Sequence, residues 1–376
     1  MRVYSYKKKL PGRSKSPKKH SFSIGDLLYT LLLLLFSASM LLAYSASFIN
    51  PEKIFIPLYF GLYFIPIFIF NLLLLIVGIS KRRKGAFLSV IILLPTLLFA
   101  DNFFKFGNEE KIFEGEPVKL LTYNIGRFSL SSNGESEAIT MDRVLNYIAQ
   151  QDADIVCLQE FRIIDTSNIP SLLQQYRFSH FSGYKENGYH FGNLTLSKFP
   201  ITQSDEIKFS GSSNLCLYDD IQSPHGLIRI YNCHLESYSI SFSSIIKRMS
   251  RKTISDEFIQ LHGKLKSGTI KRVEEVETLT GSINNCEMQS IICGDFNDPP
   301  TSYTYHTLLK NHSDSFIESG TGFSGTYSML WPLLKIDYIL LPENFSCTRH
   351  NIDRLKYSDH YPVHTVIYLK NSEHND

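Results

Sequence analysis

Ser290-Ile291-Ile292-Cys293-Gly294-Asp295-Phe296-Asn297-Asp298-Pro299-Pro300 is the stretch on which the reading of this chain turns. Its apolar run, Ile291 to Cys293, reads as a buried strand, and the Gly and two Pro after it stop the chain there. Asp295 and Asn297 therefore fall at a strand end, where open α/β sheets present their chemistry. Two residues apart on extended chain, a carboxylate and an amide face the same side. Taken alone, Gly-Asp-x-Asn describes a turn whose Asx side chains cap their own backbone equally well. Four further polar strand ends supply the rest of a metal-phosphate site.

Outward from this stretch, short strands alternate with amphipathic helices. Strands are expected at Val118–Ile125, Asp154–Leu158 (ending in Gln159-Glu160), His190–Ser197, Asn214–Ile221, Leu227–Leu235, Ile336–Leu341 and Val363–Leu369. Helices are expected at Met141–Gln151, Ser243–Leu261, Thr269–Asn284 and Ser302–Lys310. Many strands with few helices between them point to two packed sheets with helices outside, not to a doubly wound parallel sheet.

The N-terminal part differs in composition. Met1 to Phe106 holds 14 basic and 3 acidic residues, a balance of +11, while Gly107 to Asp376 holds 24 and 33, a balance of −9. The first 20 residues form a basic tail, which by the positive-inside rule stays cytoplasmic. Leu27–Ile49 carries no charge and is long enough to cross a bilayer, and too long for the apolar core of a cleavable signal peptide. Ile54–Ile79 is read as a second span despite Pro57 and Pro66, and Ala86–Ala100 as a shorter third. Lys81-Arg82-Arg83-Lys84 places the intervening turn in the cytoplasm, so three spans put the large C-terminal part of the chain outside it. The domain division is then a tail (1–20), a transmembrane region (21–106), a linker (107–117) and a catalytic domain (118–370). All six cysteines lie between Gly107 and Asp376 without Cys-x-x-Cys spacing, and Cys157, Cys233 and Cys293 sit in apolar runs as buried thiols.

Five polar clusters terminate or interrupt the strands: Tyr123-Asn124-Ile125-Gly126, Gln159-Glu160, Asn232-Cys233-His234, Asp295-Phe296-Asn297, and the pair Ile336-Asp337-Tyr338 with Ser358-Asp359-His360. A hard divalent cation needs oxygen ligands, and one or two carboxylates plus substrate phosphate suffice for it. Glu160 is the evident direct ligand. Asp337, between two apolar residues at the head of a buried strand, requires a partner.

In order and content these clusters resemble the endonuclease/exonuclease/phosphatase superfamily over roughly Val118 to Leu369. The resemblance implies that Glu160 holds Mg²⁺ or Mn²⁺ with Asn124 and Asp359 close by. Asp295 would orient and deprotonate the attacking water, Asn297 and His234 would contact the phosphate, and Asp337 would pair with His360 and keep it cationic. Asn232 and Arg272 are weaker candidates for substrate binding. The chain departs from relatives acting at abasic DNA sites at Gly126, where an acid is common. Ser328 and Lys335 stand where related bacterial members carry Arg.

The expected architecture is therefore a four-layered α/β sandwich, two packed mixed β-sheets flanked by helices, preceded by a transmembrane helical region. The expected function is that of a metal-dependent phosphoesterase in the inner (plasma) membrane, multi-pass, with its catalytic domain extracytoplasmic. The rivals are a nuclease and a catalytically inactive binding module on the same fold. The acidic balance of the domain argues for a small or lipid-borne phosphoester over duplex DNA. A basic cluster of Lys247, Arg248, Arg251, Lys252, Lys264, Lys266, Lys271 and Arg272 is the local exception, and no obligate protein partner is indicated.

Overall fold

The computed structural model describes residues 23–107, 113, 115–129, 137–238 and 254–370. The chain enters a 22-residue helix, Ile24–Ser45, where the Ser23 hydroxyl accepts the Gly25 N–H and so caps the N-terminus. At 1.5 Å per residue it runs about 33 Å, enough to cross a bilayer. The second apolar stretch is not one rod. It breaks at Tyr63 into Ile56–Leu62 and Phe64–Ser80, bent by 74°. The break gives both prolines a place, since Pro57 and Pro66 each fall in a first turn, where the missing N–H costs nothing. The expected third span is shorter than its apolar run: helix Ala86–Leu93 passes into a 3₁₀ segment, Leu94–Leu98, at Pro95, and is too short by itself to cross.

These helices form one bundle with distinct ends. At one end Arg83 pairs with Asp26 at 2.8 Å, and Tyr29 packs against Gly78 and Gly85. At the other, Thr301 Oγ1 donates to the Gly61 carbonyl at 2.9 Å, and the Tyr305 hydroxyl donates to Asn102 at 3.0 Å. The basic turn thus lies at the end of the bundle opposite the sandwich.

The remaining described residues build fourteen strands: β1 (Phe104–Lys105), β2 (Val118–Asn124), β3 (Ile155–Ile163), β4 (Phe178–Glu186), β5 (Tyr189–Ser197), β6 (Ile201–Lys208), β7 (Leu215–Ser223), β8 (Gly226–His234), β9 (Gln289–Asp295), β10 (His312–Asp314), β11 (Gly322–Phe323), β12 (Asp337–Pro342), β13 (Phe345–Ile352) and β14 (Val363–Leu369). Two six-stranded sheets, ordered β13-β14-β2-β3-β5-β4 and β10-β12-β9-β8-β7-β6, pack face to face, and β1 pairs with β11. In each sheet a parallel pair, β2–β3 or β8–β9, is set among antiparallel neighbours. Helix Glu137–Gln151 covers the outer face of the first sheet through Val144 and Ile148, and helices Ile254–Asn284 and Tyr303–Leu309 cover the second. This is the four-layered sandwich of two mixed sheets expected from the sequence.

The inward-facing register carries the site. Side chains alternate along a strand, so the series Val118, Leu120, Thr122, Asn124 of β2 faces the other sheet, as do Ile228, Ile230, Asn232, His234 of β8 and Ile291, Cys293, Asp295 of β9. Each series starts apolar and ends polar or charged. Between the two regimes lies a neutral polar layer: Gln159 Nε2 donates to Thr122 Oγ1 at 3.0 Å and to Asn232 Oδ1 at 2.8 Å, tying one sheet to the other.

Some expectations are corrected. Strand β3 continues past Glu160 to Ile163 through a bulge. One 31-residue helix, Ile254–Asn284, replaces the two expected from Ser243 to Asn284, with residues 239–253 outside those described. Strands β4, β6, β10 and β13 were not anticipated, and they are the four sheet edges. All six cysteines are free thiols, five of them buried.

Candidate active site

Topology alone gathers the polar strand ends. The parallel strands β2, β3, β8 and β9 run the same way as their partners, so Asn124, His234 and Asp295 finish at one edge. β12 runs antiparallel to β9 and β14 antiparallel to β2, which brings the starts of both to that edge. Asp337 therefore sits opposite Asp295, and Ser358-Asp359-His360, just before β14, lies beside Asn124. Glu160 would point away on strict alternation. Its left-handed backbone (φ 52°) at the bulge turns it back into the site.

Asn124 Nδ2 donates to Asp295 Oδ2 at 2.9 Å and reaches Glu160 Oε1 at 3.4 Å, while its Oδ1 accepts the Gly126 N–H at 3.0 Å. Gly126 itself has φ +56°, and a Cβ there would crowd Ser358 Oγ and Asp359 Oδ1, so the turn favours glycine. Asp295 Oδ1 accepts the Asn297 N–H at 2.8 Å. The Nε2 atoms of His360 and His234 stand 3.7 and 3.9 Å from Asp295 Oδ2. Asp337 takes His360 Nδ1 at 3.0 and 3.1 Å through its two oxygens, fixing the ring so that Nε2 faces the site. Thr326 Oγ1 holds the backbone that positions Asp337, accepting its N–H at 3.1 Å.

The electrostatics divide the carboxylates. Burial pushes Asp295 up to about 6, aided by Asp337 and opposed by the two histidines. Burial also pushes Glu160 up, but His234, His360 and Arg127 outweigh it and leave that carboxyl below its usual range. Burial disfavours the His360 cation, and Asp337 and Asp295 override this, raising the imidazole well above its ordinary value. Asp295, Asp337 and His360 bring ligand-type atoms within 4.8 Å of one another. Asp337 is engaged by His360, so the carboxylates lining the cleft and suited to a hard cation are Glu160, Asp295 and Asp359, with Asn124 buried behind them and tied to Asp295.

Eight expected residues meet here: Asn124, Glu160, His234, Asp295, Asn297, Asp337, Asp359 and His360. Two do not. Asn232 is fully buried one layer below, its Nδ2 facing the carbonyls of Leu158 and Leu194, so it joins the sheets instead of touching substrate. Arg272 is likewise fully buried, 3.3 Å from Asp298 and stacked over the Tyr238 ring, behind the cleft wall. Lys335 is buried against Asp314 at 2.5 Å, which accounts for a Lys there without a substrate role. Lys266 lies over the Phe55 ring and Lys271 pairs with Glu236, whereas Lys247, Arg248, Arg251 and Lys252 fall outside the described residues.

Sequence reasoning missed Arg127 and Tyr327. Arg127 Nε lies 3.3 Å from Glu160 Oε2, and its position directly after the Asn124 turn was the available signal. Tyr327 bridges to His360 by backbone and lines the cleft, and nothing in its local sequence marks it.

Comparison with known proteins agrees with this geometry. Residues 121–360 match the model of the Endonuclease/Exonuclease/phosphatase family, and residues 26–103 match a second model, a domain of unknown function. The chain is similar to the crystal structure of an endonuclease/exonuclease/phosphatase from Beutenbergia cavernae DSM 12333, with 15% identity, a TM-score of 0.53, and 69% of this chain and 73% of that one covered. It is similar also to one from Bacteroides vulgatus (17% identity, TM-score 0.52, 68% and 100% covered) and to a family protein from Bacteroides thetaiotaomicron (16%, 0.51, 70% and 99%). At such identities the likeness is one of fold. No curated protein matches the chain. The family match extends from β2 to the His360 that completes the site, and the chain belongs to the endonuclease/exonuclease/phosphatase family.

Proposed function

We propose that this protein is a membrane-anchored, divalent-metal-dependent phosphoesterase. The observation that carries the reading is the pairing of a buried, raised carboxyl at Asp295 with a cationic His360 held by Asp337, both beside the partly exposed Glu160. Oxygen ligands of this kind fit Mg²⁺ or Mn²⁺, held by Glu160 and Asn124 with Asp359 nearby. Such an ion supplies charge neutralisation at the phosphoryl oxygens.

The chain's own residues do the rest. Asp295, fixed through both oxygens by Asn297 and Asn124, orients a water and takes its proton. The Nε2 atoms of His360 and His234 face the same volume, His360 as a cation against the developing charge on phosphorus oxygens. At 3.7 and 3.9 Å from Asp295 Oδ2, the two Nε2 atoms are close enough to share with it hydrogen bonds to one oxygen lying off the lines that join them.

The helix Ile24–Ser45 supports anchoring. A multi-pass arrangement is supported by the bundle: the basic turn at Arg83 lies at the end opposite the sandwich, as does the residue at which the chain leaves its basic N-terminal tail. With positive charge retained in the cytoplasm, the catalytic domain lies outside it. The acidic domain favours a small or lipid-borne phosphoester over duplex DNA.

The test is hydrolysis by the full chain in nanodiscs of bis-p-nitrophenyl phosphate, phospholipid and plasmid DNA, with Mg²⁺, with Mn²⁺ and in EDTA. Metal-dependent cleavage of the first two is expected. Cleavage of plasmid alone at physiological salt restores the nuclease, and no turnover of any substrate favours the inactive module.

A further inference from the structure

The anchor does more than hold the enzyme near a membrane. A cleft of about 580 Å³ opens on the site, and its walls include Glu160, Asp295, Asn297, Asp359 and His360. Leu62 and Tyr63, the residues at the break in the bent apolar pair, belong to the same walls. Leu261 and Leu265, one turn apart on the face of the long helix, and Leu330 and Leu334 from the loop before β12 complete an apolar lining. That volume falls in the range of pockets that enclose a small organic ligand.

The break is held in register with the chemistry. Gly61 packs so closely that a Cβ there would lie 2.6 Å from Ala46 Cβ and 3.1 Å from the Thr301 carbonyl, and Thr301 Oγ1 bonds the Gly61 carbonyl. Thr301 lies six residues after Asp295, so the loop carrying the general base is clamped to the anchor. Tyr59 and Tyr63 also pack with tilted rings against His262, which lies between Leu261 and Leu265 in sequence. A simple tether would need none of these contacts.

We infer that the apolar wall formed by Leu62, Leu261, Leu265, Leu330 and Leu334 seats an alkyl chain of a membrane phosphoester lipid while its phosphate lies at Glu160 and His360. This rests on the phosphoesterase reading and specifies its substrate class. The occupant is argued from continuity: the wall joins a phosphate-type site to a break in the bilayer-spanning segment. A water-soluble sugar or nucleotide ester would leave the partly exposed Leu62, Leu261, Leu330 and Leu334 facing water. An alkyl chain covers them and gains from burial.

The experiment uses the full chain in nanodiscs and a series of p-nitrophenyl alkyl phosphodiesters from ethyl to hexadecyl, each at matched surface concentration. Leu62→Asn and Leu330→Asn, both at half-buried positions, are compared with wild type. Partitioning into the bilayer raises the apparent affinity of long chains for all three proteins alike, so the readout is the ratio of kcat/KM for long against short chains. That ratio is expected to fall about tenfold or more in each variant. Equal ratios in wild type and variants overturn the groove. Binding of non-hydrolysable alkylphosphonates of the same lengths is measured in parallel. Chain-length-selective binding lost in the variants, with no turnover of any diester, upholds the groove and sinks the phosphoesterase reading. Length-independent binding sinks the groove whatever the turnover.

Discussion

β2 and β3 in one sheet and β8 and β9 in the other are built alike. Each couple is parallel, each starts in the apolar layer between the sheets, and each delivers two functional side chains to the same edge: Asn124 and Glu160 from the first, His234 and Asp295 from the second. The environments then diverge. Glu160 sits on a bulge with its side chain 28% exposed beside Arg127, and its carboxyl is held down by positive neighbours. Asp295 ends a regular strand at 1% side-chain exposure, and burial lifts it to about 6. The difference teaches how one architecture makes two kinds of carboxylate. The bulged, partly exposed one stays charged and suits a cation, and the regular, buried one, which ionises only above about pH 6, suits a base.

The comparison breaks most visibly if the dry half is dispensable. His360→Ala and Asp295→Asn should each lower kcat on a small phosphodiester by about 10²–10³-fold or more while circular dichroism stays native. Asp337→Asn acts through His360, so its double mutant with His360→Ala should be scarcely slower than His360→Ala alone. Multiplicative losses would show that the two act separately.

A structural effect of middle size is expected one layer down. Asn232→Ala leaves Gln159 and two strand carbonyls short of a partner, and each buried polar group so stranded costs about 1–3 kcal/mol. Thermal unfolding should shift downward. A loss of turnover with unchanged stability would instead make Asn232 a substrate contact.

The smallest expected effect separates the halves by sign. In metal-free protein Asp295 has a raised folded pKa, so its contribution to stability is full below the unfolded carboxylate value near 4 and fades as pH rises through about 6. Glu160 is lowered, so its contribution is present above its unfolded value and fades on acidification through the folded one. Melting curves in chelator should therefore show Asp295→Asn flattening the fall in stability between about pH 4 and 6, and Glu160→Gln flattening the fall at lower pH. Slopes of the same sign for both would end the distinction.

Much of this was legible in the sequence, for a physical reason. The eight inner strands are apolar on at least one face and stand out, whereas the four edge strands carry polar runs such as Gln203-Ser204-Asp205-Glu206 in β6 and pass for loops. The site residues were readable because they end strands. Glu160 was read as the end of a strand that in fact continues through a bulge, a feature with no local signature. Asn232 and Arg272 look like ligands by residue type, and only burial reveals them as links within the fold. The long-range contacts of Leu62 and Tyr63 with the cleft depend on where the bent helix pair docks, which no window of sequence reports.

The most direct test of the two-halves account is Mn²⁺ binding, followed by paramagnetic resonance, alongside turnover of bis-p-nitrophenyl phosphate in the same samples. Asp295→Asn should retain most of its Mn²⁺ affinity and lose turnover, whereas Glu160→Gln should bind Mn²⁺ about 10-fold or more weakly and regain part of its turnover at high metal. Wild-type affinity in Glu160→Gln, together with substantial turnover in Asp295→Asn, would contradict the assignment of metal and base to the two sheets.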